Sequence, residues 1–147
     1  MKASKAAKSA KDSKSISSTR GKNHYDIIVI GAGPAGEAAA MNAKKAGRSV
    51  AVVNDLKHVG GNCTHWATIP SKALRHTVNQ VMQFNANPMF RDVGHARKLS
   101  FQQILKQAER VVSAQVAMRT DFYDRNHIPV ISGRGSFIDA HTLKLEG

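Results

Sequence analysis

Two short apolar runs flank an alanine-rich segment in the first third of the chain. Residues 25–30 are almost continuously apolar, as expected of a strand that is buried on both faces of a sheet. Residues 37–46 are rich in alanine and end before Gly47, which suits the position that follows a helix. Residues 50–53 form the second apolar run. The whole segment has the length of a βαβ unit, which is about thirty residues.

Helical periodicity dominates the middle of the chain. Pro70 suits the first turn of a helix, and Asn87-Pro88 interrupts the segment that follows. Between them, apolar side chains recur at the spacing of one helix face: Leu74, Val78, Val81 and Met82. Residues 92–98 are polar around Gly94, which predicts a loop.

A second long helix and several short strands are predicted further on. Ser100 and Gln103 have the spacing of a capping box, and the apolar stripe behind them reaches Phe122. The remaining elements are a strand over 128–131, a turn or bulge over 133–135, and an antiparallel pair formed by 136–139 and 142–146. This order of elements predicts an α/β fold with a parallel sheet of about three strands.

Charge and composition limit the class of protein. The net charge is +12, and half of it arises within residues 1–22, where seven Lys or Arg stand against one Asp. We expect this Lys- and Ser-rich tail to be a disordered, solvated arm, with weak nonspecific contact to nucleic acid or a membrane surface as the alternative. A mitochondrial presequence is disfavoured because Arg is scarce. A specific nucleic-acid interface is not expected, because none of the eight aromatic residues interleaves with the tail.

Two further classes of protein are excluded. No run of about 18 apolar residues is present, so the sequence contains no transmembrane helix. The only cysteine, Cys63, excludes an intrachain disulfide and suits the reducing cytoplasm. The seven histidines lack metal-ligand spacing, and we expect no metal site.

A glycine motif follows the first predicted strand and opens the first predicted helix. Gly31, Gly33 and Gly36 form G-x-G-x-x-G, with Pro34 and Ala35 between the last two glycines. In such motifs the first glycine permits a tight turn, the second lets a pyrophosphate approach the backbone, and the third lets the helix pack on the strand. The helix N-terminus then presents free N–H groups and a partial positive charge to the phosphates. The sequence therefore predicts a dinucleotide site here.

Two neighbouring residues are candidates for binding the adenosine ribose. An acidic side chain is expected about 20 residues after the motif. Asn54 stands at the end of the second predicted strand, and Asp55 follows it. Either Asn54 forms a weaker bond to the ribose, or a small backbone adjustment brings in Asp55.

Residues 60–72, with the sequence GGNCTHWATIPSK, have the form of a flavoenzyme redox loop in which one of two sulfurs is missing. Thr68 stands where a dithiol enzyme would carry its second cysteine. Thiol–disulfide exchange needs a thiolate and a second sulfur, and Cys63 has no such partner in this chain.

Together, residues 28–37 and 59–76 resemble the flavin-dependent pyridine nucleotide–disulfide oxidoreductase family. The resemblance covers about residues 24–147, and within the family it is strongest to members that transfer hydride between nicotinamide nucleotides. It implies that residues 23–147 are the N-terminal part of a Rossmann-like FAD-binding domain, with the basic tail over 1–22 outside it. It also implies an NAD(P) domain, an interface domain and a homodimer in the complete enzyme.

The resemblance further implies which residues bind the cofactor. Thr68 would replace the sulfur that lies against the flavin, and Lys72 would lie near the flavin ring. Cys63 would be a packed or bystander thiol instead of a nucleophile. The predicted FAD-binding residues are Gly31, Gly33, Pro34, Ala35, Gly36, Asn54, Asp55, Gly60, Gly61, Asn62, Cys63, Lys72 and Gly135.

The implied activity is hydride transfer from NADPH to NAD through FAD, with the flavin as the redox centre and NAD and NADP as substrates. A disulfide reductase similar to lipoamide dehydrogenase is the nearest alternative, and the missing sulfur argues against it. A noncatalytic basic binding module is the alternative from another class. Because the predicted sheet is small and the sequence ends after a strand, we expect part of a longer enzyme, inactive as an isolated chain.

Overall fold

The computed structural model describes residues 23–91 and 97–146. The predicted basic tail over 1–22 lies outside the described residues, as do residues 92–96 of the predicted polar loop. The described residues include both sequence motifs and all of the predicted helices and strands.

A parallel sheet with the strand order β1-β2-β3 forms the centre of the fold. Ile27 of β1 lies opposite Val50 of β2, and Val52 of β2 lies opposite Val130 of β3. All five residues of the central strand are buried, since β2 has a neighbour on each side. The strands are β1 (Ile27–Ile30), β2 (Val50–Asn54) and β3 (Val130–Ser132). The predicted α/β fold with a parallel sheet is confirmed.

Helix α1 (Pro34–Lys45) connects β1 to β2 and begins three residues earlier than predicted. Pro34 occupies its first position, where a missing N–H costs no helical hydrogen bond. Ala46 is the C-cap of the helix, and Gly47 follows with a φ of +76°. Gly47 thus has the role that the sequence predicted for it.

Residues 60–72, which have the form of a redox loop and were predicted to be helical only from about Pro70, are largely helical. Helix α2 (Gly61–His65) contains the cysteine. Helix α3 (Thr68–Ala86) begins three residues after the end of α2. The predicted break at Asn87 is present, because Asn87 caps α3 and the short helix α4 (Pro88–Arg91) follows.

Helix α5 (Phe101–Arg125) packs along α3 and extends three residues beyond its predicted end. Ser100 accepts a hydrogen bond from the backbone N–H of Gln103, whose side chain accepts one from the Ser100 backbone. The predicted capping box is therefore confirmed.

Strands β4 (Arg134–Asp139) and β5 (Thr142–Glu146) form a separate antiparallel pair. The predicted turn over 133–135 is confined to Gly133, which has a φ of +141°. Arg134 and Gly135 already belong to β4, because they pair with Glu146 and Leu145.

One core cluster joins the sheet, the glycine turn and α5. Tyr123 is 1% exposed and brings the last turns of α5 into this cluster. The buried members are Ala32, Ala40, Val50, Val52, Val59, Tyr123 and Ile128. Among the described helices, none has the length and hydropathy needed to cross a membrane.

The capping box yields a test of stability. Ser100→Ala should lower the free energy of unfolding by about 1 kcal/mol, because an N–H in the first turn of α5 loses its acceptor. The matched change Ser113→Ala, at an exposed position inside α5, should be neutral or slightly stabilising because alanine favours helices. Urea unfolding of both variants measures the difference, and equal effects would contradict a specific cap.

Candidate functional site

The turn between β1 and α1 brings two backbone segments into very close contact. Gly31 has a φ of +97°, and its N–H donates to the Val53 carbonyl at 2.7 Å. A Cβ on Gly36 would lie 1.9 Å from the Gly31 carbonyl oxygen, so only glycine permits this packing of helix on strand. These are the roles expected of the first and third glycines of the motif.

The second glycine of the motif leaves open space beside the backbone. A Cβ on Gly33 would meet nothing closer than Gly61 Cα, at 3.9 Å. Within the described residues, the N–H groups of Gly33, Ala35 and Gly36 have no hydrogen-bond partner, and Pro34 has no N–H. Free donors at the positive end of a 12-residue helix are the arrangement that attracts anions such as a pyrophosphate, and these residues are the candidate anion site.

A second glycine pair lies directly against this turn. The Gly60 N–H donates to the Ala32 carbonyl at 2.8 Å. A Cβ on Gly61 would lie only 2.8 Å from Gly33 Cα. The segment 60–72 therefore starts beside the candidate anion site, and the two motifs that the sequence singled out are in direct contact.

The polar residues of this segment lie on the outside of the chain. Asn62, Thr68 and Lys72 are exposed, and the four-residue spacing of Thr68 and Lys72 places them on one face of α3. Cys63 is exposed and free, so the expectation of a packed thiol is wrong and the bystander alternative remains. The reason is that α2 turns its next residue, Thr64, inward instead.

An aromatic side chain stands beside this surface. Trp66 is 65% exposed, and its ring centroid lies 5.4 Å from that of His65. His65 is itself held by its Nε2 atom, which lies 2.9 Å from the Val59 carbonyl oxygen.

Asn54 is committed to hydrogen bonds within the protein. It is 4% exposed, and its Oδ1 accepts from the Ala32 N–H at 3.1 Å. Its Nδ2 donates to the Leu56 carbonyl at 2.8 Å and to the His58 carbonyl at 3.3 Å. Asn54 therefore ties the glycine turn to the loop after β2, and its side chain has little remaining capacity for a ligand.

Asp55 and Gly135 are placed differently. The Asp55 side chain is exposed and makes no hydrogen bond or ion pair with any described residue. A Cβ on Gly135 would lie 3.4 Å from Val53 Cγ1 and 4.0 Å from Ile30 Cδ1, so β4 passes over the ends of β1 and β2. Both residues thus lie at the carboxyl ends of the parallel strands, where the glycine turn begins.

A largely buried polar cluster between α1 and α5 was missed in the sequence. Glu37, in the first turn of α1, forms an ion pair with Arg119 of α5, 82 residues later. Tyr123 lies one turn beyond Arg119, and its hydroxyl has no hydrogen-bond partner among the described residues. Burial raises the pKa of Tyr123 to about 12, with the Glu37 charge acting in the same direction and Arg119 opposing it. The only signal in the sequence was the i, i+4 spacing of Arg119 and Tyr123.

The family profile and the similar sequences all belong to pyridine nucleotide oxidoreductases. The sequence profile of the family described as "Pyridine nucleotide-disulphide oxidoreductase" matches residues 25–144. The "Soluble pyridine nucleotide transhydrogenase" of Pseudomonas putida (strain GB-1) is 61% identical over 122 residues, covering 83% of this chain and 26% of the relative. The protein of the same name from Marinobacter nauticus is 56% identical over 125 residues, covering 85% of this chain and 27% of the relative. This chain thus spans about a quarter of the length of these relatives.

Solved structures agree with the fold. The HOCl-induced flavoprotein disulfide reductase RclA from Escherichia coli, as the Cu(II) complex of a cysteine-to-serine mutant, matches with a TM-score of 0.68 and 26% identity. The match covers 85% of this chain and 25% of that structure. The Cu(II) complex of the same reductase without the mutation matches with a TM-score of 0.66, 27% identity and the same coverage of both chains.

The structural roles of Asn54 and Asp55 can be distinguished by how their substitution changes the free energy of unfolding. Asn54→Ala should lower the free energy of unfolding by about 2 kcal/mol, because the buried Ala32 N–H loses its acceptor. Asp55→Ala, one residue away and exposed, should change it by less than about 0.5 kcal/mol. Urea unfolding measures both, and a larger effect of the Asp55 change would contradict the structural role of Asn54.

The buried tyrosine predicts a loss of stability at high pH. Because the pKa of Tyr123 rises from 10.0 to about 12 on folding, the fold favours the neutral phenol. This contribution is complete below pH 10 and is lost as the pH rises, by about 2 kcal/mol at pH 12. Urea unfolding from pH 9 to pH 12 should show this decline relative to Tyr123→Phe, and parallel curves for the two proteins would contradict it.

Proposed function

Because this chain belongs to the pyridine nucleotide-disulphide oxidoreductase family, as its motifs predict, we propose that it supplies the FAD-binding part of a soluble transhydrogenase. The family implies FAD and nicotinamide dinucleotides as cofactors. The proposed reaction of the whole enzyme is hydride transfer from NADPH to NAD. Its main support is the identity of 56–61% to relatives named soluble pyridine nucleotide transhydrogenase.

One observation supports FAD binding more than any other, namely the open backbone at Gly33. A methyl group there would occupy otherwise empty space beside three free N–H groups, and a bound pyrophosphate needs that space. We assign the pyrophosphate to the N–H groups of Gly33, Ala35 and Gly36. The Asp55 carboxylate, exposed at the end of β2, is our candidate for the ribose, because Asn54 is occupied.

The rest of the cofactor would extend along the residues that begin at Gly60. The contact between Gly61 and Gly33 makes the two segments continuous. Asn62 and Cys63 are exposed after the glycine pair, and Thr68 with Lys72 presents one polar face of α3. A lysine on this face would favour negative charge on a reduced flavin, and Gly135 gives β4 the close approach to the same edge of the sheet.

Thr68 supports hydride transfer over disulfide reduction. A disulfide reductase needs a second sulfur to carry electrons from the flavin to its substrate. A threonine hydroxyl has no redox couple of that kind, and Cys63 is the only cysteine. FAD, when bound, supplies the two-electron chemistry, and this chain binds and orients it.

The family also supports proposals for the domain, the oligomeric state, the substrates and the location of the whole enzyme. We propose that residues 23–147 form part of the FAD domain and that the whole enzyme is a homodimer with NADP and NAD as its substrates. A cytoplasmic location is supported by the word "soluble" in the names of the relatives and by the single, unpaired Cys63.

A pair of glycine variants tests FAD binding. Gly33→Ala should fold normally, because Gly33 has an extended backbone (φ −76°, ψ 178°) and its Cβ meets no close atom. It should nevertheless weaken FAD binding by at least about tenfold, because the methyl group blocks the pyrophosphate. Quenching of flavin fluorescence on titration with the purified chain measures the dissociation constant.

The control for this experiment is Gly36→Ala. Its Cβ would lie 1.9 Å from the Gly31 carbonyl oxygen, so this variant should lose thermal stability whether or not FAD is present. If the unaltered chain does not bind FAD, or if Gly33→Ala binds it equally well, the proposed site is wrong.

A further inference from the structure

We propose that Arg119 is a positioning residue for the cofactor, which neutralises Glu37 and so keeps the N-terminus of α1 attractive to the FAD pyrophosphate. This inference rests on the proposed function and adds a residue that is distant in sequence from both motifs but contacts Glu37 beside the first of them. It assigns a purpose to the ion pair between α1 and α5 that the packing of the fold alone does not explain.

The position of Glu37 creates the need for such a residue. Glu37 directly follows the last glycine of the motif, and its N–H donates to the Gly33 carbonyl at 2.8 Å. Its carboxylate therefore belongs to the same first turn as the free N–H groups of Ala35 and Gly36. A carboxylate in the first turn of a helix is attracted by the same partial positive charge that would bind a phosphate. An unpaired Glu37 would therefore oppose a second anion there.

Arg119 removes this conflict. Its Nη1 atom donates to Glu37 Oε2, and the side chains are only 14% and 17% exposed. Charges that are largely withdrawn from water interact more strongly and are screened less by salt than surface charges. The pair is close to neutral as a unit, so the field at the turn is set mainly by the backbone donors.

Apolar packing also holds helix α5 in place. Tyr123 anchors the end of α5 in the core, Ala108 of α5 is 2% exposed, and α5 packs along α3. The ring of Tyr123 lies in the same buried cluster as Ala40 of α1. A change of charge at residue 37 or 119 can therefore alter the field at the turn while these apolar contacts still hold α5.

Two variants that break the same ion pair separate charge from structure. Arg119→Met leaves Glu37 unpaired, and we expect the dissociation constant for FAD to rise about tenfold. Glu37→Gln leaves the positive charge of Arg119 unopposed, and we expect FAD to bind as tightly as before or up to about threefold more tightly. The double variant should recover most of the affinity lost in Arg119→Met, because the unpaired carboxylate is gone.

Matched controls carry the same changes in charge at two exposed positions of α5. Arg125→Met removes an arginine whose side chain is 60% exposed, and Glu109→Gln removes an exposed carboxylate. Both should leave the affinity for FAD within about twofold of that of the unaltered chain. Fluorescence titration with FAD, together with thermal unfolding of each apoprotein, gives affinity and stability separately.

The outcomes are distinct. If Glu37→Gln and Arg119→Met both weaken FAD binding, or if the double variant recovers nothing, the ion pair is only a structural link and the inference is wrong. If Arg119→Met does not fold, weakened binding by Glu37→Gln alone overturns the inference and unweakened binding supports it. If the unaltered chain does not bind FAD, the proposed function fails and takes this inference with it.

Discussion

The contact between two glycine-containing turns is the constraint on which the candidate site depends. Gly61 approaches Gly33 so closely that a single Cβ would come within 2.8 Å of the opposing Cα. The Gly60 N–H fixes this contact through the Ala32 carbonyl. Without it, the candidate anion site at α1 and the segment 60–72 would be separate features of the surface. With it, one extended ligand can lie on both.

The parts of the fold that the sequence predicted are those with local causes. The capping box at Ser100 and the Gly31 turn each involve residues within a few positions of one another, so their chemistry is visible in the letters. The alternatives at Asn54 and Asp55 could not be separated in this way. The partners of the Asn54 side chain include Ala32, 22 residues earlier, and only the folded sheet brings that N–H next to it.

Long-range partners and inward-facing polar groups account for what the sequence did not reveal. Glu37 and Arg119 are 82 residues apart, and nothing in either local pattern connects them. The helical form of residues 61–65 was also missed, because a five-residue helix is too short for a periodic apolar pattern. Because this helix was missed, the direction of its side chains was missed as well. Thr64 is fully buried, and its neighbour Cys63 is exposed.

The exposure of Cys63 strengthens the argument from the missing sulfur. A thiol buried in the fold could have been dismissed as packing, whatever its sequence context. Here the thiol is accessible, on the segment that starts beside the candidate anion site, and the second position of the expected pair is a threonine. Access alone does not give disulfide chemistry, because the exchange needs a second sulfur to receive the electrons. The missing second sulfur therefore supports the proposed route, in which electrons would leave the flavin as hydride to a nicotinamide and not through a thiol pair.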